Sequence, residues 1–318
     1  MKILITGGNG YLGSRLCQFL SLNGHQVTAV CHREKHYRKD WNSLVHQIIY
    51  ADIKKIETIK QISSIKTDVL IHLVSLDQHN SEKDNKEAMD INVLPTWNLL
   101  EQCTANGLKK FIYFSTIHVY GHNQNGLVEE TQSPTPINAY GLTHYLSEKI
   151  CNYYMRKADT DCINIRLSNS YGSPVFSDAN CWDLILNDIT RSAFIEKKIV
   201  LKTDGSAIRD FIHFSDICNG INKILNVTKF NGKNTIHFSS SKSLTMLDVA
   251  ILVQSIYLKR YNQEIPIYTN GNELWVGSTS SKNNTNIISN ALAKSFSINF
   301  NKKLEDGIED LFTYLESE

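Results

Sequence analysis

The chain lacks the features typical of nucleic-acid-binding or membrane-spanning proteins. Its 33 Lys and Arg residues are balanced by 32 Asp and Glu residues, so a formal net charge of +1 gives no electrostatic reason to expect a nucleic-acid partner. No run of about eighteen apolar residues is present that would span a membrane. The first apolar run starts at Lys2 and leaves no room for a secretory signal peptide, so we expect a cytoplasmic protein.

Cysteine occurs seven times but never with Cys-x-x-Cys spacing. Scattered cysteines of this kind predict reduced, buried or half-buried thiols and no metal site. The seven are Cys17, Cys31, Cys103, Cys151, Cys162, Cys181 and Cys218.

Short apolar runs alternate with helical patterns through the first half of the chain. With 318 residues, of which 42% are hydrophobic, the chain is long enough to bury a full core. The alternation predicts an α/β fold with a parallel sheet wound on both faces. Strands are predicted at Gln26–Cys31, Val45–Tyr50, Asp68–Val74, Lys110–Thr116 and Asp161–Arg166, and helices near Ile56–Ile62, Lys86–Asn106 and Asn138–Arg156.

A glycine pattern links the first predicted strand to the first predicted helix. Gly7, Gly10 and Gly13 follow the apolar run that ends at Ile5, and a helical pattern begins near Leu12. In this context Gly7 permits a tight turn, Gly10 lets backbone amides approach a pyrophosphate, and Gly13 lets the helix pack on the strand. The pattern predicts a site for the phosphates of a dinucleotide.

The pattern becomes irregular after about residue 172. Helices are predicted near Trp182–Lys197, Thr245–Lys259 and Leu304–Leu315, and Gly277–Asn286 is polar enough for a mobile loop. We therefore predict a dinucleotide-binding domain at 1–171, to which 208–240 returns. The remainder, 172–207 and 241–318, is predicted to form a smaller substrate-binding domain.

Several motifs in one order make the chain resemble a known family. They are Thr6-Gly7-x-x-Gly10-x-x-Gly13, Asp52-Ile53, Asn92, Ser115-Thr116-x-x-Val119-Tyr120-Gly121, Tyr140-Gly141, Arg166 with Asn169-Ser170-Tyr171-Gly172, and Arg209-Asp210-Phe211-Ile212-His213. The family is that of the extended short-chain dehydrogenase/reductases, the NAD(P)-dependent epimerase/dehydratase group that modifies nucleotide-linked sugars.

The resemblance implies a Rossmann-type, doubly wound sheet with a C-terminal pocket for a nucleotide-activated sugar. It also implies hydride exchange at a sugar carbon, commonly C4, and a homodimer built from the helices near 86–106 and 138–156. The family's cofactor contacts fall here on Gly7, Gly10, Tyr11, Leu12, Gly13, Asp52, Ile53, Leu73, Val74, Asn92, Tyr140 and residue 144.

The choice of cofactor depends on the residues that follow the second strand. A carboxylate there would bind the ribose 2′-hydroxyl of NAD and repel the 2′-phosphate of NADP. The chain instead has Cys31, His32 and Arg33, and a guanidinium offers paired donors to a phosphate. We therefore favour NADP over NAD. The alternative is that His32 and Arg33 are solvated residues of the basic stretch His32–Lys39.

The catalytic centre implied by the resemblance departs from the family at one position. The family uses a tyrosine as acid/base and, four residues later, a lysine whose charge lowers the tyrosine pKa and whose ammonium holds the nicotinamide ribose. Here Tyr140 is followed by His144. Two interpretations stay open: His144 is an imidazolium that still assists Tyr140, or the site has lost catalysis and kept binding.

Tyr145 and Lys149 also satisfy the Tyr-x-x-x-Lys spacing. Residue 145 lies about 140° around the helix from residue 140, so it cannot present its hydroxyl to the same pocket. Pro136, Gly141 and the twenty residues between Tyr120 and Tyr140 match the family register for Tyr140. We therefore assign the catalytic tyrosine to Tyr140.

Thr116 matches the family's Ser/Thr that shares the reacting oxygen with the tyrosine, whereas Ser115 should face the other side of the strand. Sugar 4,6-dehydratases carry an Asp-Glu pair directly after this residue. The chain has Ile117 and His118 there, which argues against an ordinary 4,6-dehydratase. His118 is either a second acid/base or a residue that shapes the pocket.

Two residues of the second half resemble family contacts to the nucleotide sugar. Asn169 matches the residue near the diphosphate or sugar, and Arg209 the arginine that grips the diphosphate. Asp210, His213 and Tyr171 are expected to be structural. The sequence thus predicts an NAD(P)-dependent oxidoreductase or epimerase acting on a nucleotide-activated sugar, with a non-catalytic NADP-sensing protein as the alternative.

Overall fold

A computed structural model describes residues 1–33, 39–121, 126–277 and 286–318. The strands are β1 (Lys2–Thr6), β2 (Gln26–Cys31), β3 (Gln47–Tyr50), β4 (Val69–His72), β5 (Lys110–Thr116), β6 (Leu127–Val128), β7 (Asp161–Leu167), β8 (Asn169–Tyr171), β9 (Ile199–Val200), β10 (Ile208–His213), β11 (Thr235–Phe238), β12 (Ser243–Thr245), β13 (Ile267–Thr269), β14 (Glu273–Leu274) and β15 (Ile287–Ile288).

The α-helices are α1 (Tyr11–Leu22), α2 (Lys39–Leu44), α3 (Ile56–Ser63), α4 (Gln78–Lys83), α5 (Asn85–Ala88), α6 (Leu94–Ala105), α7 (Ala139–Lys157), α8 (Ile185–Glu196), α9 (Phe214–Asn226), α10 (Met246–Tyr261), α11 (Ala291–Ser295) and α12 (Leu304–Ser317). A π-helical turn spans Met89–Val93 and a 3₁₀-helix spans Ile117–Tyr120. In this part of the chain no helix is both long and apolar enough to cross a membrane.

Seven parallel strands form the central sheet, in the order β11-β7-β5-β4-β1-β2-β3. Helices cover both faces, and each face has its own apolar core, one around α1 and α9 and the other around α3, α6 and α7. The predicted doubly wound α/β fold is confirmed. Because parallel strands place their carboxyl ends at one edge of the sheet, the loops after β1, β2, β4 and β5 meet there.

A buried lysine joins two of these layers. Lys110 begins β5, and its ammonium donates to the carbonyl oxygens of Ile224, Leu225 and Val227 at 2.9, 3.1 and 2.8 Å. These carbonyls belong to the C-terminal end of α9, where a positive charge is favourable. Lys110 thus anchors α9 to the sheet.

The second half has its own core beneath α8, α10 and α12. The chain returns to the central sheet through α9 and β11. Helix α9 packs on α1, and β11 is an edge strand of the sheet. Strand β10, at the start of the predicted 208–240 return, lies instead in a small sheet with β8 and β12. Helix α11 packs on β11. The domain bounds stay a prediction, and the predicted mobile loop at Gly277–Asn286 falls mainly outside the described residues.

The helical stretch predicted near Lys86–Asn106 is confirmed, since helical structure continues from Asn85 to Ala105. Its interior contains the π-helical turn Met89–Val93, and Pro95 follows in the first turn of α6. A proline has no amide proton to donate, so the regular α-helical hydrogen-bond pattern is interrupted near this position. Asn92 lies in the π-helical turn, a kind of irregularity that often marks a functional site.

Candidate active site

The turn between β1 and α1 has the close packing that the glycine pattern predicts. Gly7 has φ +75°, which favours glycine, and the Gly10 amide donates to the Gly7 carbonyl at 2.9 Å. A Cβ atom at Gly13 would lie 2.0 Å from that same oxygen. Gly8, which the motif did not single out, is equally constrained because its Cβ would lie 2.7 Å from the Cβ of Ala29.

The N-terminus of α1 suits the phosphates of a dinucleotide. Gly10 caps the helix without a side-chain hydrogen bond, and the first turn carries no acidic residue. The orphan amides and the helix dipole therefore remain available to an anion at this edge of the sheet. The residues present thus fit the cofactor that the glycine pattern implies.

The side chains of Tyr11 and Leu12 face the protein, so only their backbone lies at the predicted phosphate site. The Tyr11 hydroxyl donates to the Gly172 carbonyl and accepts from Asn187 Nδ2 at 2.8 Å. Its ring packs on Phe214, with centroids 4.3 Å apart, and Leu12 packs against the core around α1. The predicted cofactor contact of Tyr11 and Leu12 stays a prediction, and their side chains contact the rest of the chain.

None of the described residues at the end of β2, Cys31, His32 and Arg33, has a carboxylate. Cys31 is buried, whereas His32 and Arg33 are exposed. The side chain of Asn9 in the glycine turn donates to the Arg33 carbonyl at 3.0 Å, which holds Arg33 next to that turn. The rest of the basic stretch, residues 34–38, lies outside the described residues.

The loops after β3 and β4 supply the other predicted cofactor contacts. Asp52 follows β3 and accepts from the Lys54 amide at 3.1 Å, and Ile53 is buried. After β4, Leu73 and Val74 border the glycine turn, since their side-chain atoms lie 3.5 and 3.3 Å from the Cβ position of Gly7. These four residues lie at the predicted carboxyl edge of the sheet.

Asn92 is used inside the protein. Its Oδ1 accepts from the Leu76 amide at 2.7 Å, and its Nδ2 donates to Thr143 Oγ1 at 2.9 Å. It therefore ties the loop after β4 to α7, one residue before His144. The cofactor contact that the resemblance implies for Asn92 stays a prediction.

Thr116 and Tyr140 come together at the mouth of the sheet. Thr116 ends β5, and Tyr140 lies in the first turn of α7, where Asn138 Oδ1 accepts from the Gly141 amide at 2.7 Å. The Thr116 side chain lies in hydrogen-bonding contact with the Tyr140 phenol. Ser115 faces the opposite side and donates to Glu148 Oε1 at 2.6 Å, as strand alternation requires.

The phenol of Tyr140 is held in its protonated form. Burial raises its pKa, Thr116 opposes this shift, and the carboxylate of Asp77 raises the pKa further. Among the described residues that shift the pKa of Tyr140, none is a cation.

His144 is buried next to Tyr140, with ring centroids 4.5 Å apart. Its Nδ1 is hydrogen-bonded to the Tyr113 hydroxyl at 2.8 Å, and its Nε2 has no hydrogen-bond partner among the described residues. Burial lowers its pKa to about 3, with His118 and His72 adding to the effect and the backbone of Phe114 opposing it. The interpretation of His144 as an imidazolium is therefore not supported, because the ring is neutral at pH 7.

Tyr145 lies away from this centre. Its ring packs against the small cluster around Val119 and Tyr120, and Lys149 Nζ lies 4.6 Å from the ring centroid. Residues 145 and 149 therefore contact each other and not Thr116, as the helical rotation predicts.

A cavity of about 380 Å³ beside Tyr140 collects the predicted substrate residues. His118, Asn169 and Arg209 all line it, and the ring centroid of His118 lies 5.7 Å from that of Tyr140. Asn169 Nδ2 donates to the Asp210 carbonyl at 2.9 Å, whereas the Arg209 side chain is exposed. In the described part of the chain no cluster of His, Cys, Asp and Glu is arranged to hold a metal ion.

Asp210 and His213 make the structural contacts expected of them. The Asp210 carboxylate accepts from the Ser240 amide and hydroxyl at 2.9 and 2.8 Å and from the Lys242 amide at 3.1 Å. His213 caps α9 by accepting from the Ser215 amide at 3.2 Å. The Tyr171 side chain is buried.

A buried polar network behind the site was not predicted. Arg166 donates from Nε and Nη2 to the two carboxylate oxygens of Glu148 at 2.9 and 2.7 Å, and from Nη1 to the Tyr120 hydroxyl. The same hydroxyl lies 2.6 Å from Nε2 of His237, which is bonded through Nδ1 to the Ser289 carbonyl at 3.0 Å. The only sequence signals were the motif positions of Tyr120 and Arg166.

Curated proteins with similar sequences are sugar-nucleotide enzymes. The UDP-glucose 4-epimerase of Mycoplasma genitalium is 28% identical over 293 residues, which cover 83% of this chain and 84% of that protein. An uncharacterized UDP-glucose epimerase of Bacillus subtilis is 27% identical over 268 residues, which cover 80% of this chain and 82% of that protein.

Solved structures share the fold over the whole chain. The UDP-glucose 4-epimerase of Thermotoga maritima, solved with UDP-glucose, has a TM-score of 0.82 at 21% identity, with coverage of 100% of this chain and 99% of that one. The UDP-glucuronic acid 4-epimerase of Bacillus cereus, in complex with UDP-glucuronic acid and NAD, has a TM-score of 0.80 at 23% identity and the same coverage. A model of the NAD dependent epimerase/dehydratase family matches residues 3–237, and the chain therefore belongs to this family.

Proposed function

We propose that the protein exchanges a hydride at C4 of a nucleotide-activated sugar, as a 4-keto reductase, a dehydrogenase or a 4-epimerase. The observation that carries the proposal is the contact between Thr116 and Tyr140 beside a cavity lined by His118, Asn169 and Arg209. This arrangement supports the proposal because the two hydroxyls are suited to acid/base work and the cavity residues to a sugar and a diphosphate.

The protonated phenol favours the reductive direction. When a 4-keto sugar is reduced, the bound nicotinamide supplies the hydride to C4 and the carbonyl oxygen needs a proton. Tyr140 carries that proton because even an ordinary phenol, with a pKa near 10, is protonated at pH 7, and Thr116 would hydrogen-bond the same oxygen. Oxidation of a sugar hydroxyl would instead require the phenolate, which no described cation stabilises here.

The residues after Thr116 argue against an ordinary 4,6-dehydratase. That chemistry requires an acid and a base in addition to the tyrosine, and the chain offers Ile117 and His118 in their place. His118 lies in the cavity wall, where it is suited to hydrogen-bonding a sugar hydroxyl or to serving as a second acid/base.

We propose that NADP is preferred over NAD. The proposal rests on exposed Arg33, held beside the glycine turn through its carbonyl, and on the lack of a carboxylate among the described residues Cys31, His32 and Arg33. Calorimetry with NADPH and NADH tests it, and Arg33→Asp should reverse the preference. Tighter binding of NADH to the native protein would refute it.

A homodimer through α6 and α7 is the proposed assembly. Leu94, Trp97, Leu142 and Tyr153 leave between 41% and 49% of their surface exposed, and the rings of Trp97 and Tyr153 stack with centroids 5.9 Å apart. Apolar exposure of this extent favours a partner surface. Light scattering should give the mass of a dimer for the native protein and the mass of a monomer for Trp97→Glu. A monomeric native protein would contradict the proposal. The cytoplasmic location stays a prediction.

A non-catalytic NADP sensor remains the alternative, because neutral His144 replaces the family's lysine. In the deciding experiment, native protein and His144→Lys are incubated with NADPH and nucleotide-linked 4-keto sugars. Oxidation of NADPH is followed by the loss of its absorbance, and the sugar product is identified by mass spectrometry. If the protein is an enzyme, the native form should reduce a 4-keto sugar slowly, and His144→Lys should reduce it at least as fast. A sensor should bind NADPH and show no turnover in either form.

A further inference from the structure

His237 of β11 lies between two elements that form the wall of the cavity. Its side chain is fully buried, and its two ring nitrogens bond to different parts of the chain. Nδ1 lies 3.0 Å from the carbonyl oxygen of Ser289, directly after β15, and Nε2 lies 2.6 Å from the hydroxyl of Tyr120, the last residue of the 3₁₀-helix. His237 belongs to none of the motifs that carry the family resemblance.

The two elements that His237 joins line the same cavity. The 3₁₀-helix contributes His118 and Tyr120 to its wall, and the segment at β15 contributes Asn286 and Ile288. The 3₁₀-helix also follows Thr116 directly, so its position determines where His118 stands relative to the acid/base pair. A displacement of either element would therefore change the shape of the cavity.

The chemistry of the partners determines the direction of both bonds. A backbone carbonyl can only accept, so Nδ1 of His237 carries the proton and donates to Ser289. Burial lowers the pKa of His237 to about 3, with Arg166 adding to the effect and the Ser289 carbonyl opposing it, so the ring is neutral at pH 7. Nε2 therefore accepts from the Tyr120 hydroxyl, which in turn accepts from Arg166 Nη1.

Two further groups beside His237 leave both bonds in place. The carbonyl of Glu129 lies 3.2 Å from the Tyr120 hydroxyl, a longer contact than the 2.6 Å to Nε2. The carboxylate of Glu130 lies 3.8 Å from Nδ1, beyond hydrogen-bonding distance, and accepts from the backbone amide of His237 at 3.0 Å. The ring thus bridges the two elements through short, directional bonds in a buried site.

The carbonyl groups of the segment 286–289 are held by a series of side chains. Every second residue from 237 to 243 donates its side chain to one of them. The four donors are His237, Ser239, Ser241 and Ser243. The first two serines reach the Ile288 carbonyl at 2.9 and 2.8 Å, and the third reaches that of Asn286. Of these four side chains, that of His237 also reaches the 3₁₀-helix.

We propose that His237 is a positioning residue, which holds the 3₁₀-helix and the segment 286–289 at a fixed separation and so sets the shape of the cavity for a nucleotide-activated sugar. The inference rests on the proposed function in taking this cavity as the substrate site. It is supported by the burial of the ring and by the bond at each of its nitrogens. Loss of either bond should free one element while the other stays anchored.

Two variants separate the ends of this bridge. The amide of asparagine reaches the position of Nδ1 and that of glutamine the position of Nε2, so His237→Asn should keep the bond to Ser289 and His237→Gln the bond to Tyr120. Hydrogen–deuterium exchange, read by mass spectrometry, follows the amides at 117–121 and 286–290. Exchange should rise about 2- to 10-fold at 117–121 in His237→Asn and at 286–290 in His237→Gln, the factor of one ordinary hydrogen bond.

Lys110→Met is the control for a general loss of stability. Lys110 is buried at the other end of β5 from Thr116, so this variant should be less stable without a selective change at either segment. The same exchange pattern in both His237 variants would overturn the inference. If those variants do not fold, Tyr120→Phe decides, since it removes the partner of Nε2 and should raise exchange at 117–121; unchanged exchange there would likewise contradict the bridge.

Calorimetry with UDP-glucose and dTDP-glucose, in the presence of NADPH, connects the bridge to the cavity. Both His237 variants should bind the probe that the native protein takes about 2- to 10-fold more weakly, whereas Lys110→Met should bind it as the native protein does. Native affinity in both His237 variants would refute the role in shaping the cavity. If the native protein bound neither sugar, the proposed function would be contradicted, while the exchange pattern would still decide whether His237 holds the two elements.

Discussion

Helix α7 contributes to two buried polar sites, four residues apart, that differ in how they treat charge. At Glu148 a full negative charge is buried, but Arg166 meets it with two hydrogen bonds and Ser115 with a third. At His144 the ring is equally buried, and it contacts Tyr113, Tyr140 and the backbone of Phe114. Since a buried charge requires a partner, the first site keeps its ions and the second stays neutral.

This difference also explains why His144 is not a simple replacement for lysine. An ammonium beside Tyr140 would lower the pKa of the phenol, whereas a neutral imidazole leaves it raised by burial. The comparison therefore separates two properties that a lysine combines, its hydrogen bonds and its charge. Only the first can be retained by His144.

The largest effect is expected from Tyr140→Phe, which removes the proton donor of the uncharged site. Turnover of a 4-keto nucleotide sugar should fall by about 10²- to 10⁴-fold, because a general acid contributes that much. NADPH affinity should change by no more than about 10-fold, since at most one ordinary hydrogen bond is lost. Tyr145→Phe is the control and should retain its activity in the NADPH-oxidation assay. If both variants lost the same activity, the assignment of Tyr140 as the catalytic tyrosine would be contradicted.

Arg166→Met breaks the charged site. It leaves the Glu148 carboxylate buried without its partner, so we expect the free energy of unfolding to drop by about 3–5 kcal/mol in urea denaturation. The control Arg260→Met breaks a more exposed pair with Glu316 and should cost only about 0–1 kcal/mol. Adding Glu148→Gln to Arg166→Met should recover part of the loss, and a mild effect of Arg166→Met alone would contradict the comparison.

The smallest effect is a pH dependence that belongs to the uncharged site. The pKa of His144 is about 3 in the folded protein and about 6.5 when unfolded, so below pH 6.5 the unfolded chain takes up a proton that the folded protein excludes. Stability should therefore fall as the pH drops from 6.5 toward 3, by at most about 1.4 kcal/mol per pH unit for this residue.

His144→Gln should reduce this loss, whereas His32→Gln, at an exposed position, should not. Urea denaturation at pH 7.5 and pH 5 measures both. If native protein and His144→Gln lose the same stability between the two pH values, the ring is not buried in its neutral form.

Local sequence patterns predicted those strands and turns whose conformation is determined by their own residues. Strands β2 and β5 have the predicted bounds, and the turn at Gly7 and Gly13 is as tight as the motif requires. The helix near 86–106 also followed, but its π-helical turn did not, because Asn92 in that turn contacts Leu76 and Thr143, which no local pattern specifies. Those partners lie 16 and 51 residues away.

The sequence predicted the motif residues of the candidate site but not the residues that pack behind them. Thr116 and Tyr140 meet as expected, and His118, Asn169 and Arg209 share one cavity. In the sequence, Tyr113 and His72 have the pattern of ordinary strand residues. An apolar run does not show which hydroxyl or ring nitrogen makes a hydrogen bond to a neighbouring element. The neutral state of His144 likewise depends on burial, which no local pattern specifies.

The hydrogen bonds of α1 to the second half also restrict how the molecule moves. Tyr11 binds the Gly172 carbonyl and Asn187, and one turn later Arg15 donates to Ser173 and Pro174. Opening of the cavity has to pivot about this edge, since separating the halves here would break several bonds at once. The Gly172 amide, which donates to Asn187 Oδ1 at 3.3 Å, should therefore exchange slowly with solvent in any ligand state, whereas amides at 206–209, across the cavity, should respond to substrate.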